Sequence, residues 1–72
     1  MNHFILVRSG SGSSVALILR QDAKHVWVRK WRTSRNAFAK HVQRRPIAEV
    51  VGDVRPNDPR RLAAEAAIRL ED

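Results

Sequence analysis

The chain has 72 residues, no cysteine and a formal net charge of +7. A chain this short holds a single domain, 1–72, with a thin core. The absence of cysteine excludes disulfides, thiolate zinc sites and thiol nucleophiles. Apolar residues make up 43% of the sequence and fall into clear runs, which excludes a disordered polyelectrolyte.

His3 to Arg8 is dense in apolar and β-branched residues, and Val15 to Arg20 repeats that character after the Gly/Ser-rich stretch Ser9 to Ser14. The pattern predicts two strands and a hairpin loop. The loop contains Gly-x-Gly, but a strand follows it and it has no lysine, so it is no phosphate loop. Gln21 to Lys24 is a polar turn, and His25 to Arg32 alternates as a third strand. Ile5 and Val7 lie on one face and Phe4 and Leu6 on the other, so the sheet needs cover on both sides.

Thr33 and Ser34 are N-cap residues before Arg35 to Gln43, and Pro46 disfavours helix at Arg45. A helix of about three turns is expected there, with Phe38 and Val42 facing the sheet and Asn36, Lys40, Gln43 and Arg44 on the outer, basic side. Ile47 to Val51 predicts a fourth strand, with a bend at Gly52-Asp53. Asp58 caps a second helix from Pro59 to about Glu71. Its apolar stripe is Leu62, Ala63, Ala66, Ala67 and Leu70, and Arg61, Glu65 and Arg69 form an ion-pair ladder. The expected fold class is α+β: a three-stranded antiparallel meander, a helix, a fourth strand and a C-terminal helix.

Phe4 to Val7 is too short for a signal-peptide core, and Val15 to Leu19 falls far below the ~20 residues of a membrane helix. A soluble, intracellular protein is the expectation.

The position of the charge is more informative than its total. Lys24 to Arg45 contains eight of the 14 Lys and Arg residues and no Asp or Glu, so the rest of the chain is nearly neutral. Such a block is an electrostatic footprint for a polyanion or an acidic protein surface. Within it, strand alternation sets Trp27, Arg29 and Trp31 on one face and Val26, Val28 and Lys30 on the other. Two indoles around a guanidinium fit a platform for single-stranded nucleic acid or the anchors of a protein interface. They also fit a core in which both indoles are buried and Arg29 snorkels to the edge. The candidate partner- or nucleic-acid-binding residues are Trp27, Arg29, Lys30, Trp31, Arg32, Arg35, Lys40, Arg44 and Arg45.

His3, His25 and His41 lack a metal-ligand spacing, and His25, Asp22 and a serine lack the arrangement of a hydrolase triad. A chain this short also has little room for a shielded substrate pocket. Binding without catalysis and without a cofactor is expected.

In size, basic central segment and order of strands and helices, the chain resembles small regulatory proteins of lytic bacteriophages, the class that includes a Xanthomonas-phage factor binding bacterial RNA polymerase. The resemblance implies docking on the host enzyme in the host cytoplasm, with inhibition of initiation and readthrough of terminators, and carries no residue across. The residues themselves leave open a second reading, direct binding of DNA or RNA through the Trp/Arg strand face and the basic helix face. A third is inhibition of another host enzyme or defence complex by occupying its nucleic-acid surface.

Overall fold

A computed structural model describes residues 3–71. Strands β1 (His3–Ser9), β2 (Gly12–Gln21) and β3 (His25–Arg32) pair antiparallel in chain order, and the strands take in Ser9 and Gly12 to Ser14, which the sequence assigned to the loop. Ser9 pairs with Gly12, so β1 and β2 are joined by a two-residue hairpin, Gly10-Ser11, with Gly10 at φ +57°. The favoured two-residue turns need positive φ at this first position, which glycine adopts without strain. The β2–β3 turn is held by Asp22, whose Oδ1 accepts the backbone N–H groups of Lys24 (2.8 Å) and His25 (2.7 Å). These two bonds keep its carboxyl below the ordinary aspartate range.

After β3 the chain departs from expectation. The helix predicted for Arg35 to Gln43 is absent. Thr33–Arg35 makes a single 3₁₀ turn, Asn36 takes the left-handed conformation (φ 50°, ψ 42°), and the chain returns antiparallel to β3 as β4 (Ala37–Phe38) and β5 (Gln43–Pro46). Asparagine is among the few residues that tolerate this conformation, and it ends the turn before a helix can propagate. Pairing decides the outcome. A helix at 35–43 would leave the outer edge of β3 without hydrogen-bond partners, whereas the returning segment satisfies that edge. Phe38 sits opposite Trp31 and packs edge-on at 5.0 Å between ring centroids. Val42, expected to face the sheet, is exposed.

The fourth strand also shifts. Ile47–Glu49 is a second 3₁₀ turn, and β6 (Val50–Asp53) pairs with β1, giving the order β4-β3-β2-β1-β6 with β5 also on β3. From Pro46 to Val50 the chain can span at most about 14 Å. In a flat sheet the positions of β5 and β6 would lie about 19 Å apart. The sheet is therefore rolled into an open barrel, and Ile5, Val7, Ala16, Val26 and Val28 are buried inside it with Ile18, Ile47 and Val50 packed against them.

The outer face carries a second core of Phe4, Val15, Leu17, Trp31, Val54 and Ala64. It is covered by helix α1 (Pro59–Glu71), which starts where expected. Asp58 accepts the N–H of Arg60 at 2.9 Å and its guanidinium at 2.9 Å, and these bonds lower the carboxyl and raise Arg60 from their ordinary values. The helix is turned from the expected stripe. Ala63, Ala64, Ala67 and Ile68 face the core, while Leu62 and Leu70 point outward. Arg61 fixes this rotation: it donates to the Val54 carbonyl at 2.9 Å and lies over the Phe4 ring. It also bonds Glu65 at 3.2 Å. Arg69 has no acidic partner among the described residues, so the predicted ladder stops at its first rung.

Two measurements check this arrangement. Trp31→Ala should cost about 3–5 kcal/mol as a large-to-small change in a buried cluster, whereas Val42→Ala should stay within about 0.5 kcal/mol because its side chain is exposed. A loss well above 1 kcal/mol for Val42→Ala in urea unfolding would mean instead that 35–43 is a helix with Val42 against the sheet, at roughly the cost of a large-to-small core change. The second concerns acid. The lowered carboxyls of Asp22 and Asp58 contribute stability that is fully present above their unfolded values, near 3.9, and is lost as pH falls through the lower folded ones. The acid limb of the urea midpoint against pH should therefore be shallower in the Asp22→Asn/Asp58→Asn double variant than in the parent chain.

Candidate nucleic-acid interface

The basic segment is spread along the outer edge of the barrel, and the roles of its residues divide by what each side chain touches. β4 and β5 act as one returning strand interrupted at residues 39–42, because the pairing sum shifts by two between Trp31–Phe38 and Val28–Gln43. The extra residues form a loop that carries Lys40 and His41. Ala39, at its start, is held twice. Its N–H donates to the Lys30 carbonyl at 2.8 Å, and its carbonyl accepts the Arg29 Nε–H at 3.3 Å.

This loop and the Thr33–Arg35 turn bound an open groove of about 850 Å³. Lys30, Arg32, Arg35, Lys40 and His41 line it, together with the hydroxyls of Ser14, Thr33 and Ser34 and apolar surface from Trp31 and Phe38. No carboxylate lines the groove, and none of its Lys or Arg side chains forms an ion pair among the described residues. Four cations around one concavity raise the local potential, and hydroxyls among them supply donors for anionic oxygens.

Of the nine candidates from the sequence, Lys30, Trp31, Arg32, Arg35 and Lys40 meet at this groove. Trp31 is 4% exposed and belongs to the outer core. Lys30 crosses the inner face to reach Ser9 Oγ at 3.2 Å, while Arg32, Arg35 and Lys40 are exposed. The other four candidates lie elsewhere. Arg29 is half-buried over the Phe38 ring at 5.3 Å and positions the loop. Arg45 bonds Gln43, the Glu49 carboxylate (3.1 Å) and the Arg8 carbonyl (3.4 Å), tying β5 to β1. Trp27 and Arg44 sit opposite each other in the β3–β5 pair, away from the groove, and Arg20 stacks over Trp27 at 4.5 Å.

The expectation that Trp27, Arg29 and Trp31 share a face holds, but they form no continuous platform, because Trp31 is buried and Arg29 is engaged with Phe38. The basic helix face of Asn36, Lys40, Gln43 and Arg44 does not exist. Asn36 is in a turn, Lys40 in the groove, Gln43 bonded to Arg45 and Arg44 beside Trp27. The sequence reading missed Ser14, Thr33, Ser34, His41 and the stacked Arg20. Thr33 and Ser34, flanked by Arg32 and Arg35, were the available signal, and reading them as a helix cap hid it.

A second concavity, about 190 Å³, is an apolar slot at one end of the barrel, lined by Ile5, Ile18, Val26, Ile47 and Val50 with His3 and Asp53 among its polar neighbours. No three His, Asp or Glu side chains among the described residues are placed to hold a metal ion. Asp22 serves its turn and does not orient His25 through its ring. Among the described residues no helix is long and apolar enough to cross a membrane. The chain matches no protein-family model, no curated protein and no solved structure.

The division between fixed and free cations is measurable. Arg29→Ala should cost about 1–2 kcal/mol through loss of its carbonyl bond and its contact with Phe38. Arg32→Ala should stay within about 0.5 kcal/mol. Equal, negligible losses in urea unfolding would mean that Arg29 does not hold the loop.

Proposed function

We propose that this chain is a non-catalytic nucleic-acid-binding domain that seats a single-stranded phosphodiester backbone in the groove between the Thr33–Arg35 turn and the loop at 39–42. The observation that carries the reading is the gathering of Lys30, Arg32, Arg35 and Lys40 around one concavity without a carboxylate. Unpaired cations repel one another, so an arrangement of this kind is stabilised when phosphates replace the counterions around it. The groove suits a single strand in chemistry, with cations and hydroxyls for phosphate oxygens and the Phe38 ring for a base. A duplex would meet the exposed cations at the rim and leave the interior of the groove, with the Phe38 edge and the hydroxyls, without a contact.

The same cations fit a second proposal, docking on a bacterial RNA polymerase as the phage resemblance implies, with inhibition of initiation and terminator readthrough as the outcome. An acidic surface of the enzyme, or the RNA leaving it, presents the charge that the groove lacks. The two proposals differ in salt dependence.

Binding of a mixed-sequence single-stranded oligonucleotide through about four phosphates should weaken about 50-fold between 50 and 200 mM salt, at a slope near −0.7 per contact. Arg35→Ala and Lys40→Ala should each reduce the slope by about one contact while the melting temperature is retained. Trp27→Phe should leave the affinity unchanged. An oligonucleotide that fails to bind at low salt, with polymerase retained by the chain after nuclease treatment, would overturn direct nucleic-acid binding in favour of docking on the enzyme.

A further inference from the structure

Helix α1 covers the barrel with its small side chains and turns its large ones away. Ala64 is fully buried, and Ala63, Ala67 and Ile68 pack beside it, whereas Leu62 and Leu70 are 52% and 88% exposed. Leu62, half-buried Ala66 and Leu70 follow at intervals of four and form one stripe along the helix. Leucines at the inward positions would bury more apolar area than alanines do. The rotation that exposes them is fixed instead by Arg61, through its bond to the Val54 carbonyl and its position over the Phe4 ring.

We infer that this stripe is the contact between two copies of the chain, joined through antiparallel α1 helices about a two-fold axis at Ala66. The pattern is self-complementary. Leu62 and Leu70 stand equally far from Ala66 on either side, so the antiparallel pair sets Leu62 of each copy against Leu70 of the other and brings the two small Ala66 side chains to the point of closest approach. The flank repeats the symmetry in charge. Glu65 and Arg69 lie on the same side of the stripe, and a two-fold axis at Ala66 brings that side of one helix against the same side of the other. Arg69 then stands about two residues, or ~3 Å of rise, from Glu65 of the second copy. Within one chain Arg69 has no acidic partner among the described residues.

A single seam along a helix of 13 residues is small beside the roughly 1,200–2,000 Å² of a stable interface, so the dimer is weak and its population depends on concentration. The pairing uses no residue of the groove and stands independently of the nucleic-acid reading.

Sedimentation equilibrium of the full chain, without nucleic acid, from about 5 μM to 1 mM tests the inference over the range that a weak interface of this size requires. The mass should rise from one chain to two and stop there. Leu70→Glu should weaken association at least tenfold with the far-ultraviolet spectrum unchanged, since the side chain contributes nothing to the monomer core. Arg69→Glu should weaken it several-fold, whereas Arg69→Lys, which keeps the charge, should retain most of it. A chain that stays monomeric throughout, a dimer indifferent to both Leu62→Glu and Leu70→Glu, or growth beyond two copies would each overturn it.

Discussion

The short crossing from Pro46 to Val50 constrains everything else in this structure. It must carry the chain from the outer edge of β3 to the outer edge of β1, and it is shorter than a flat sheet allows, so the sheet has to roll. Rolling creates an inside. Ile47 and Val50, the two apolar residues of the crossing that can reach it, pack on the inner cluster, and this gives a chain of 72 residues a second buried core. Arg45 closes the seam in polar terms, linking β5 to Glu49 and to the Arg8 carbonyl. The outer face then needs only a modest cover, and a helix of alanines suffices.

The rolled sheet also decides what the basic residues can do. With β3 paired on both edges, its side chains divide between the inner face, the outer core and the rim. Arg29, Lys30 and Arg45 are engaged with protein oxygens or rings, and so their charge is partly committed to the fold. Arg32, Arg35 and Lys40 have no such commitment. Arg32 ends β3, Arg35 lies on the tight turn that follows it and Lys40 on the loop where the returning strand is interrupted, and all three face one groove. A strand without that interruption would have laid Lys40 flat along the edge of β3. The extra residues between Phe38 and Gln43 therefore form the site as much as the cations do.

Much of this was legible in the sequence, and the failures share one cause. The first three strands follow from period-two alternation with turn residues between them, and the C-terminal helix from Asp58-Pro59. These signals are local. The segment from Thr33 to Gln43 carries helix-compatible residues and a cap, yet its conformation is set by a non-local demand, the unpaired edge of β3, and by the left-handed Asn36. The rotation of α1 was misread for a related reason. Leu62 and Leu70 have the more apolar side chains, but Arg61 anchors the helix to Val54 and Phe4 and so places Ala64 inward. At the candidate groove, every lining Lys and Arg comes from the uninterrupted basic block from Lys24 to Arg45. Charge alone could not separate the cations bound into the barrel from those left free, because that distinction depends on which carbonyls and carboxylates the fold brings near them.

Chemical-shift mapping of the ¹⁵N-labelled chain during titration with a short single-stranded oligonucleotide tests the account most directly, because it locates binding on the fold residue by residue. The largest changes should fall on Lys30, Arg32 to Arg35 and Ala39 to His41, with the amides of α1 and the Trp27 indole little affected. Changes centred on Trp27, Arg20 and Arg44, or on α1, with the groove silent, would contradict it.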